Sequence, residues 1–576
     1  MNDYTQLPHR QKMFTLAATL LGMLLAALDQ TIVATAGPAI QRELHIEPSL
    51  YTWLTTSYLV ASAVMTPVWG KLSDLFGRRR ILVIGIVIFL GGSLLCGVSQ
   101  NTWQLIGARI IQGFGSASLF TTAFAVIADI FSPRERGRYA GVFGAVFGLS
   151  SVIGPLVGGF ITDAFSWHWC FLINLPVGAV ALAVIGLKMP SLKPQEERTS
   201  RKIDVVGAAI FAGAVVPALV AASLAKVEVR PGDVGYLWSS PLIVGLVVAA
   251  VAFGALFVVV EKRVREPLID MKLFSNRAFS IGVSATFIVG MTFLGAIVFL
   301  PLFMVNVVGA SATGAGLTTV PLTFGIVIGN IASGQLSSRL GRYKFLIVGS
   351  LSILIVAFAV MSFTLSPNVT QAGMAARMIL IGLGLGPSIP IFNLHIQTAV
   401  EPRQIGAATS VATLSRSLGS TLGIAIFGNI FGLALAHGIE SRIAEATAHL
   451  PPATVAQMQA QMVSSSSAGE EGAPTTGAFD LAKAKQRISE GFAARRQALS
   501  AAGPEAAGQL AGLDAAESSA LSTVEAVGAA FKQAFTDATA RVYFVGIFFA
   551  VLGLLVTLLL PELPLRGGAS TPPPIE

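Results

Sequence analysis

One acidic side chain inside an apolar run is the first group in this sequence that could do chemistry. Asp29 lies within the predicted span 13–36, about 24 Å into a bilayer core about 30 Å thick. A charge buried there costs about 3 kcal/mol on insertion scales, so Asp29 is a candidate functional residue. The other acidic groups near the spans are expected at helix ends, close to water: Asp129, Asp163, Asp204 and Glu261.

A cation on the fourth predicted span can reach the same depth. Arg109 enters from the opposite side in span 102–128 and lies about 10 Å below the same face, so it can pair with Asp29. Loss of water favours the neutral acid, whereas a nearby cation favours the carboxylate. Movement of Arg109 would therefore let Asp29 bind and release a proton. A fixed pair that serves fold specificity is the alternative.

Two further arginines lie inside predicted spans. Arg377 and Arg416 belong to the twelfth and thirteenth spans, and the spans of that half contain no acidic residue to pair with them. They are candidates for residues that face an aqueous cavity in the second half of the chain. Snorkelling to the interface and hydrogen bonds to carbonyl groups are the alternatives.

The composition indicates that lipid is the solvent of this chain. Of 576 residues, 53% are hydrophobic and 12% are charged, about half the charge of a soluble protein. The net charge of +8 resides in short loops between apolar runs, which argues against a nucleic-acid partner. No nucleotide-binding loop, nucleophile–base set or metal-ligand cluster is present in the sequence, so we expect no enzymatic activity, nucleotide, metal or other cofactor.

Fourteen apolar runs of about twenty residues predict membrane-spanning helices. Nearly all Lys and Arg residues of the short loops fall on one side of this topology, while Arg42, Lys226 and Arg230 lie on the other. By the positive-inside rule, both termini are expected in the cytoplasm. The predicted spans are 13–36, 51–70, 81–99, 102–128, 139–161, 169–189, 203–224, 239–260, 279–304, 313–335, 343–365, 371–394, 405–434 and 541–560.

A short basic hinge joins the second and third spans and occurs twice. Gly70–Arg80 recurs 264 residues later as Gly334–Lys344, with matching Gly, Leu, Ser and Arg positions. Duplicated bundles are typical of alternating-access transporters. The offset exceeds the about 190 residues that six spans need, which leaves room for two linking helices. The predicted domains are a six-helix bundle (1–200), two linking helices (201–265), the first five helices of a second bundle (266–435), an external insert (436–540), and a last helix with a cytoplasmic tail (541–576).

The predicted external insert is rich in Ala, Ser, Gln and Gly. Two sets of apolar residues recur in it at helical spacing, so we expect helices that pack together or rest on the outer mouth of the bundles. A solvated appendage is the simpler interpretation, and a periplasmic or outer-surface partner is the alternative. The two sets are Leu481, Ile488, Phe492 and Leu499, and Val524, Val527, Phe531 and Phe535.

Four motifs resemble those of a known family. Gly70–Arg80 is similar to the loop signature of the major facilitator superfamily, and Leu28–Val33 resembles the first-helix signature of its fourteen-helix drug:proton antiporter branch. Arg109–Gly115 resembles the fourth-helix signature, and Gly154–Gly159 the antiporter signature of the fifth helix. The resemblance covers nearly everything outside the insert. It implies an all-α polytopic membrane protein with two six-helix bundles and two linking helices.

The resemblance also implies roles for three sets of residues. Proton and substrate coupling would involve Asp29, Arg109 and Gln112. A cytoplasmic charge latch would involve Asp74, Arg78, Arg80, Asp129 and Arg138. A kink that favours export would involve Gly154, Pro155, Gly158 and Gly159, where small residues permit close helix approach and proline permits bending.

The sequence therefore predicts a proton-coupled antiporter of the inner membrane that exports amphipathic or hydrophobic small molecules. Its partners would be the lipid bilayer, these substrates and protons. An exporter of an endogenous lipid or cell-envelope metabolite is the first alternative, which the insert would suit if it guided the cargo. A non-transporting membrane receptor or scaffold is the second.

Overall fold

The computed structural model describes residues 4–46, 48–51, 53–190, 204–226, 235–309, 319–401, 404–446, 481–501 and 507–563. Within them the chain is helical apart from two short 3-10 turns and a parallel pair of two-residue strands, β1 (Ala225–Lys226) and β2 (Tyr236–Leu237). The predicted all-α class is confirmed. Parts of the predicted insert (447–480 and 502–506) and of the tail (564–576) lie outside the described residues.

The helices are described in three groups, in chain order. The first bundle contains α1 (His9–Glu43), α2 (Pro48–Tyr51), α3 (Trp53–Phe76), α4 (Arg78–Gly97), α5 (Thr102–Ile130), α6 (Pro133–Ala164), α7 (His168–Leu172) and α8 (Asn174–Lys188). The linking helices are α9 (Val205–Leu224) and α10 (Pro241–Glu261). The remaining helices are α11 (Arg277–Asn306), α12 (Val320–Leu340), α13 (Lys344–Thr364), α14 (Gln371–Leu385), α15 (Ser388–Thr398), α16 (Ile405–Ala446), α17 (Leu481–Ala501) and α18 (Ala507–Leu558).

Thirteen helical segments of the described chain are long and apolar enough to cross a membrane. The one predicted span without a counterpart among these segments is the second, 51–70, which corresponds to α3, a 24-residue helix. Its length of about 36 Å is sufficient for a bilayer core. Thr, Ser, Tyr and Trp side chains dilute its apolar character, and several of them face the protein interior. The chain is therefore a multi-pass membrane protein.

Two predicted spans are interrupted in the structure. The sixth divides at Ile173 into α7 and α8. The twelfth divides at Gly386 and Pro387 into α14 and α15, because proline has no N–H to donate to the preceding turn. The backbone angles at Ile173, Gly386 and Pro387 remain helical, so each pair of helices still forms one spanning segment.

The last two long helices extend well beyond a bilayer. α16 has 42 residues and α18 has 52, or about 63 and 78 Å against a core of about 30 Å. Arg442 of α16 pairs with Asp537 of α18 at 2.5 Å, and Arg496 of α17 pairs with Glu517 of α18 at 3.0 Å. The predicted boundaries of the insert, at 435/436 and 540/541, therefore fall inside continuous helices.

The two bundles meet mainly along two pairs of helices, α6 with α12 and α3 with α16, with smaller contacts between α6 and α15 and between α5 and α16. Glycine lets the backbones touch: a Cβ on Gly334 would lie 2.3 Å from the carbonyl oxygen of Gly137. Ser151 and Thr323, whose hydroxyl oxygens are 2.9 Å apart, mark the other end of the α6–α12 contact. The contact thus covers the half of α6 that starts at Pro133. We call the side with both basic hinges the hinge end, and the opposite side the far end.

Candidate functional site

A fully buried ion pair lies in the first bundle. Asp29 of α1 and Arg109 of α5 have exposed fractions of 0% and 1%, and 2.8 Å separates Arg109 Nη1 from Asp29 Oδ2. Arg109 Nε also donates to the carbonyl oxygen of Leu54, at 3.0 Å. The structure therefore brings together the two charges whose predicted depths agreed. Such a pair is stable in an apolar interior when further hydrogen bonds satisfy both groups.

Side-chain amides complete the environment of the carboxylate. Gln112 Nε2 and Asn174 Nδ2 each donate to Asp29 Oδ1 at 2.8 Å. Gln112 Oε1 accepts a hydrogen bond from Arg109 Nη1 at 2.7 Å. Both amides also donate to Ser93 Oγ, at 3.1 and 2.9 Å. Gln112 thus joins the ion pair directly, as the resemblance implied for a coupling residue.

An aromatic ring covers the cation. The guanidinium carbon of Arg109 lies 4.2 Å from the centroid of the Tyr58 ring, within range of a cation–π interaction. The Tyr58 hydroxyl donates to Ser116 Oγ at 2.6 Å. Arg109 is therefore held on one side by the carboxylate and on another by the ring.

Sequence reasoning did not identify Ser93, Asn174 or Tyr58. Each is a polar or amphipathic residue within or beside an apolar run, and Asn174 is followed at once by Leu-Pro in an otherwise apolar segment. Polar groups inside spans are expensive unless they find a partner. The Asn174 amide within an apolar run was therefore the signal in the sequence that could have identified a partner of the buried pair.

Hydrogen-bond donors surround the Asp29 carboxylate. Every described side-chain contact of its two oxygens is with a donor group. Arg109, Gln112 and Asn174 therefore fix the position of the carboxylate.

A second set of charges closes the hinge end. Arg78 pairs with Asp74 at 2.5 Å and with Asp129 at 2.8 Å, and it donates to Ser73 Oγ at 2.6 Å. Asp74 Oδ2 accepts a hydrogen bond from the backbone N–H of Ala407, at 3.0 Å. Because Ala407 lies in the first turn of α16, Asp74 also faces the positive end of that helix dipole. The latch therefore connects the two bundles.

The predicted latch included two residues that the structure does not bring to it. Arg80 and Arg138 are both exposed, and the described contact of Arg138 is with the ring of Tyr139, 5.8 Å away. The loop contributes Arg134 instead, which donates to the carbonyl oxygens of Ser338 and Arg339 at 2.8 and 3.1 Å. These carbonyls belong to the last turn of α12, where a cation satisfies unpaired acceptors.

The glycine-rich segment of α6 packs closely against α1. A Cβ on Gly154 would lie 2.0 Å from Thr31 Oγ1, and one on Gly158 would lie 2.3 Å from Thr35 Oγ1. A Cβ on Gly159 would meet no atom within 4 Å. Pro155 lies inside α6, which continues without interruption to Ala164. Gly154 and Gly158 therefore position the helix that carries Asp29.

The two second-bundle arginines occupy different environments. Arg416 lines a small cavity with Asn393 and Phe293, between α11, α15 and α16. Arg377 instead donates to Thr364, at the end of α13, at 3.0 Å. The structure thus places Arg416 at a second-bundle cavity, and it places Arg377 at a helix end.

Two helical bundles that meet at one end, with a buried ion pair in one of them, define the class of protein as a two-bundle membrane transporter. The Major Facilitator Superfamily profile matches residues 19–424, and the chain belongs to this superfamily. It is a transporter and not an enzyme.

Individual relatives agree with this assignment. The chain is 37% identical to Multidrug resistance protein 3 of Bacillus subtilis (strain 168) over 428 residues, which cover 74% of this chain and 81% of the relative. It is also 37% identical to multidrug transporter protein MdtP of the same organism, over 71% of this chain and 74% of the relative. The crystal structure of the human organic anion transporter MFSD10 (TETRAN) shares the fold, with a TM-score of 0.55 and 15% identity, over 74% of this chain and 94% of that chain.

Proposed function

We propose that the protein is a proton-driven antiporter that exports amphipathic or hydrophobic small molecules by alternating access. The observation that carries this proposal is Asp29, a fully buried carboxylate held by a cation and two amides. Intramembrane ionisable groups of this kind are typical of proton relays. The names of the two Bacillus relatives, which describe multidrug transport, support the substrate class.

Each step of the proposed cycle uses a contact of this structure. With the hinge end closed by Asp74 and Arg134, the bundles are free to separate at the far end, toward which Asp29 lies. A proton that enters from that side neutralises Asp29 and releases Arg109. The hinge contacts then open, substrate binds from the other side, and Asp29 returns its proton there. One proton that crosses about 100 mV supplies about 2.3 kcal/mol, enough for a gradient of about fiftyfold in a neutral substrate.

The proposed location is the inner membrane, with both termini and the hinge end in the cytoplasm. The distribution of basic loop residues supports this orientation. The proton gradient would be the source of energy, with no bound cofactor. The arrangement of 1–200, 201–265 and 266–435 as bundle, linking pair and bundle is part of the same proposal.

Export of a lipid or envelope metabolite is a second candidate, favoured by the helical extension of α16, α17 and α18. This extension carries ion pairs on its surface and projects well beyond a bilayer. It could guide a cargo away from the membrane or bind a partner outside the cell.

The test is transport in vesicles that contain the purified full-length protein. With an imposed pH gradient, a fluorescent amphipathic dye should be moved against its own gradient, and a protonophore should stop this movement. The Asp29→Asn variant should bind the dye but not concentrate it. Concentration of dye that survives both the protonophore and Asp29→Asn would contradict the proposal, and movement of labelled lipid in place of dye would favour the second candidate.

A further inference from the structure

Two carboxylates of the linking helices lie closer together, and further from water, than their positions at helix ends predict. Glu261, the last residue of α10, is only 2% exposed. The segment after α10 folds back over it, with Leu268 and Ile269 buried. Asp204 precedes α9 and caps it. The expectation that both groups lie near water is therefore wrong for Glu261 and for the inner oxygen of Asp204.

One oxygen of each carboxylate is occupied by a backbone donor. Asp204 Oδ1 accepts from the N–H of Gly207 at 2.7 Å, and Glu261 Oε2 accepts from the N–H of Ile269 at 3.3 Å. The other two atoms, Asp204 Oδ2 and Glu261 Oε1, are buried and have no hydrogen-bond partner. Buried acceptors without a donor are rare in native proteins and call for an explanation.

The two unpartnered oxygens face each other across Gly207. A Cβ on Gly207 would lie 2.3 Å from Asp204 Oδ2 and 2.7 Å from Glu261 Oε1. The oxygens are therefore no more than 5.0 Å apart, the sum of those two distances. Glycine leaves the space between them open, and any larger residue would fill it.

Among the residues that the structure describes, no cation pairs with either unpartnered oxygen. Lys71 of α3 is the facing cation, and it is hydrogen-bonded to Glu266 at 3.3 Å. The cations that follow α10 are exposed: Lys262, Arg263 and Arg265. The Asp270 carboxylate accepts a hydrogen bond from the backbone N–H of Lys272. The helix α16 also packs against α9, and its described charged groups lie well along the helix from its hinge-end start: Arg416, Glu440, Arg442 and Glu445.

We propose that Asp204 and Glu261 bind one shared proton at neutral pH, so that the hydroxyl of one carboxylic acid donates to the oxygen of the other. The proton removes one charge and supplies the donor that both oxygens lack. It ties the start of α9 to the end of α10, beside Lys71 of the hinge. This site is separate from Asp29 and lies in the linking helices. Its contribution to stability is present while the proton is bound and is lost as the pH rises.

Infrared spectroscopy of the purified protein in lipid tests the proton directly. Wild-type protein at neutral pH should show the carbonyl stretch of a protonated carboxylic acid, and the band should remain in Asp29→Asn. It should disappear in Glu261→Gln and in Asp204→Asn. Absence of the band from wild type, its loss in Asp29→Asn, or its survival in both linking-helix variants would overturn the proposal.

Thermal unfolding as a function of pH gives a second, independent readout. The Tm of wild type should fall as the pH rises above neutral. In Glu261→Gln the amide N–H replaces the shared proton, so this fall should be reduced or lost, and Asp204→Asn should act in the same way. The exposed Asp163→Asn control should follow wild type. Parallel curves for all variants would contradict the proposal, as would a rise in wild-type Tm with sodium, potassium or magnesium ions that requires Glu261.

Discussion

The two bundles share a fold and a hinge sequence, but they carry different chemistry. The first bundle buries Asp29 and Arg109 with hydrogen bonds to both groups. The second bundle places Arg416 at a cavity, and among the described residues no carboxylate pairs with it. Asn330 of α12, also fully buried, has no hydrogen-bond partner for either side-chain polar atom. Among the described residues, the first bundle therefore pairs its buried charges, whereas the second leaves Arg416 without an ion partner and the Asn330 side chain without hydrogen bonds.

The two hinges also differ in whether they carry an acidic residue. In the first hinge Asp74 pairs with Arg78. Ser338 stands at the position of Asp74 in the second hinge, and its carbonyl oxygen accepts from Arg134 of the first bundle. Among the described residues, the ion pairs of Arg78 at the hinge end are thus formed within the first bundle, with Asp74 and Asp129. The comparison teaches that duplication fixed the architecture, whereas the proposed proton chemistry belongs to one half.

The largest effect is expected when the buried pair of the first bundle is broken. Arg109→Gln leaves Asp29 charged and buried, which should lower the free energy of unfolding by about 3–5 kcal/mol. The matched Arg416→Gln change in the second bundle should cost less than about 1 kcal/mol, because no described ion partner is lost. Chemical unfolding of both variants measures the difference. Equal losses would remove the distinction between the bundles, and Asp29→Asn should restore part of the stability of Arg109→Gln.

Loss of an amide donor to the same carboxylate should have a smaller effect. Asn174→Leu removes hydrogen bonds to Asp29 and Ser93, and hydrogen bonds to charged groups contribute about 1.5–3 kcal/mol. The expected loss in unfolding free energy has that size. In an Asp29→Asn background the loss should shrink, since the acceptor is then neutral. A double-mutant cycle with no coupling between the two positions would show that Asn174 acts through packing alone.

We expect the hinge latch to contribute modestly to the free energy of unfolding. Its main effect should be to limit the access of solvent to the hinge end. Asp74→Asn keeps the shape of the side chain but removes its charge from Arg78 and α16, at a cost of about 2 kcal/mol, between exposed and fully buried pairs. Ser410 is buried beneath Gly70, so a Ser410→Cys label should react faster in the Asp74→Asn background. The exposed Arg80→Gln change in the same loop is the control. An unchanged labelling rate would show that the latch does not close the hinge end.

A stabilising change is predicted in the second bundle. Asn330 packs against Gly144 of α6 at the seam between bundles, and Asn330→Leu removes two unsatisfied polar atoms with a similar shape. We expect a gain of about 1 kcal/mol in unfolding free energy and slower transport. The control is Asn429→Leu, since Asn429 donates to the carbonyl oxygen of Ala425 at 2.7 Å. A loss in Asn330→Leu comparable to that of the control would mean that Asn330 is satisfied in another way.

Much of the fold could be read from the sequence, because a bilayer dictates span length and apolar character. The hinge repeat also indicated two bundles before any coordinates. The breaks at Ile173 and Gly386, and the long extensions of α16 and α18, were missed. A sequence window of apolar residues does not show where the helix within it bends. Such a window also ends at the first polar residues, even where the helix continues beyond them.

The candidate site was only partly predictable. Asp29 and Arg109 stood out because charges are scarce in spans, and their depths could be compared along each helix. Asn174 and Ser93 were missed because uncharged polar groups are commoner and helix rotation is not readable from depth. Asp204 and Glu261 were expected near water because they lie at helix ends. Leu268 and Ile269 fold back over α10 instead, and this tertiary contact has no local signal in the sequence.

The most direct test of the central claim is the number of protons released when substrate binds. Purified wild-type protein in a weakly buffered solution should release about one proton per bound dye molecule, because Asp29 is the one fully buried carboxylate among the described residues of the two bundles. Asp29→Asn should bind dye and release none, while Asp163→Asn should match wild type. Proton release that persists in Asp29→Asn would contradict the account, because the proton would then belong to another group.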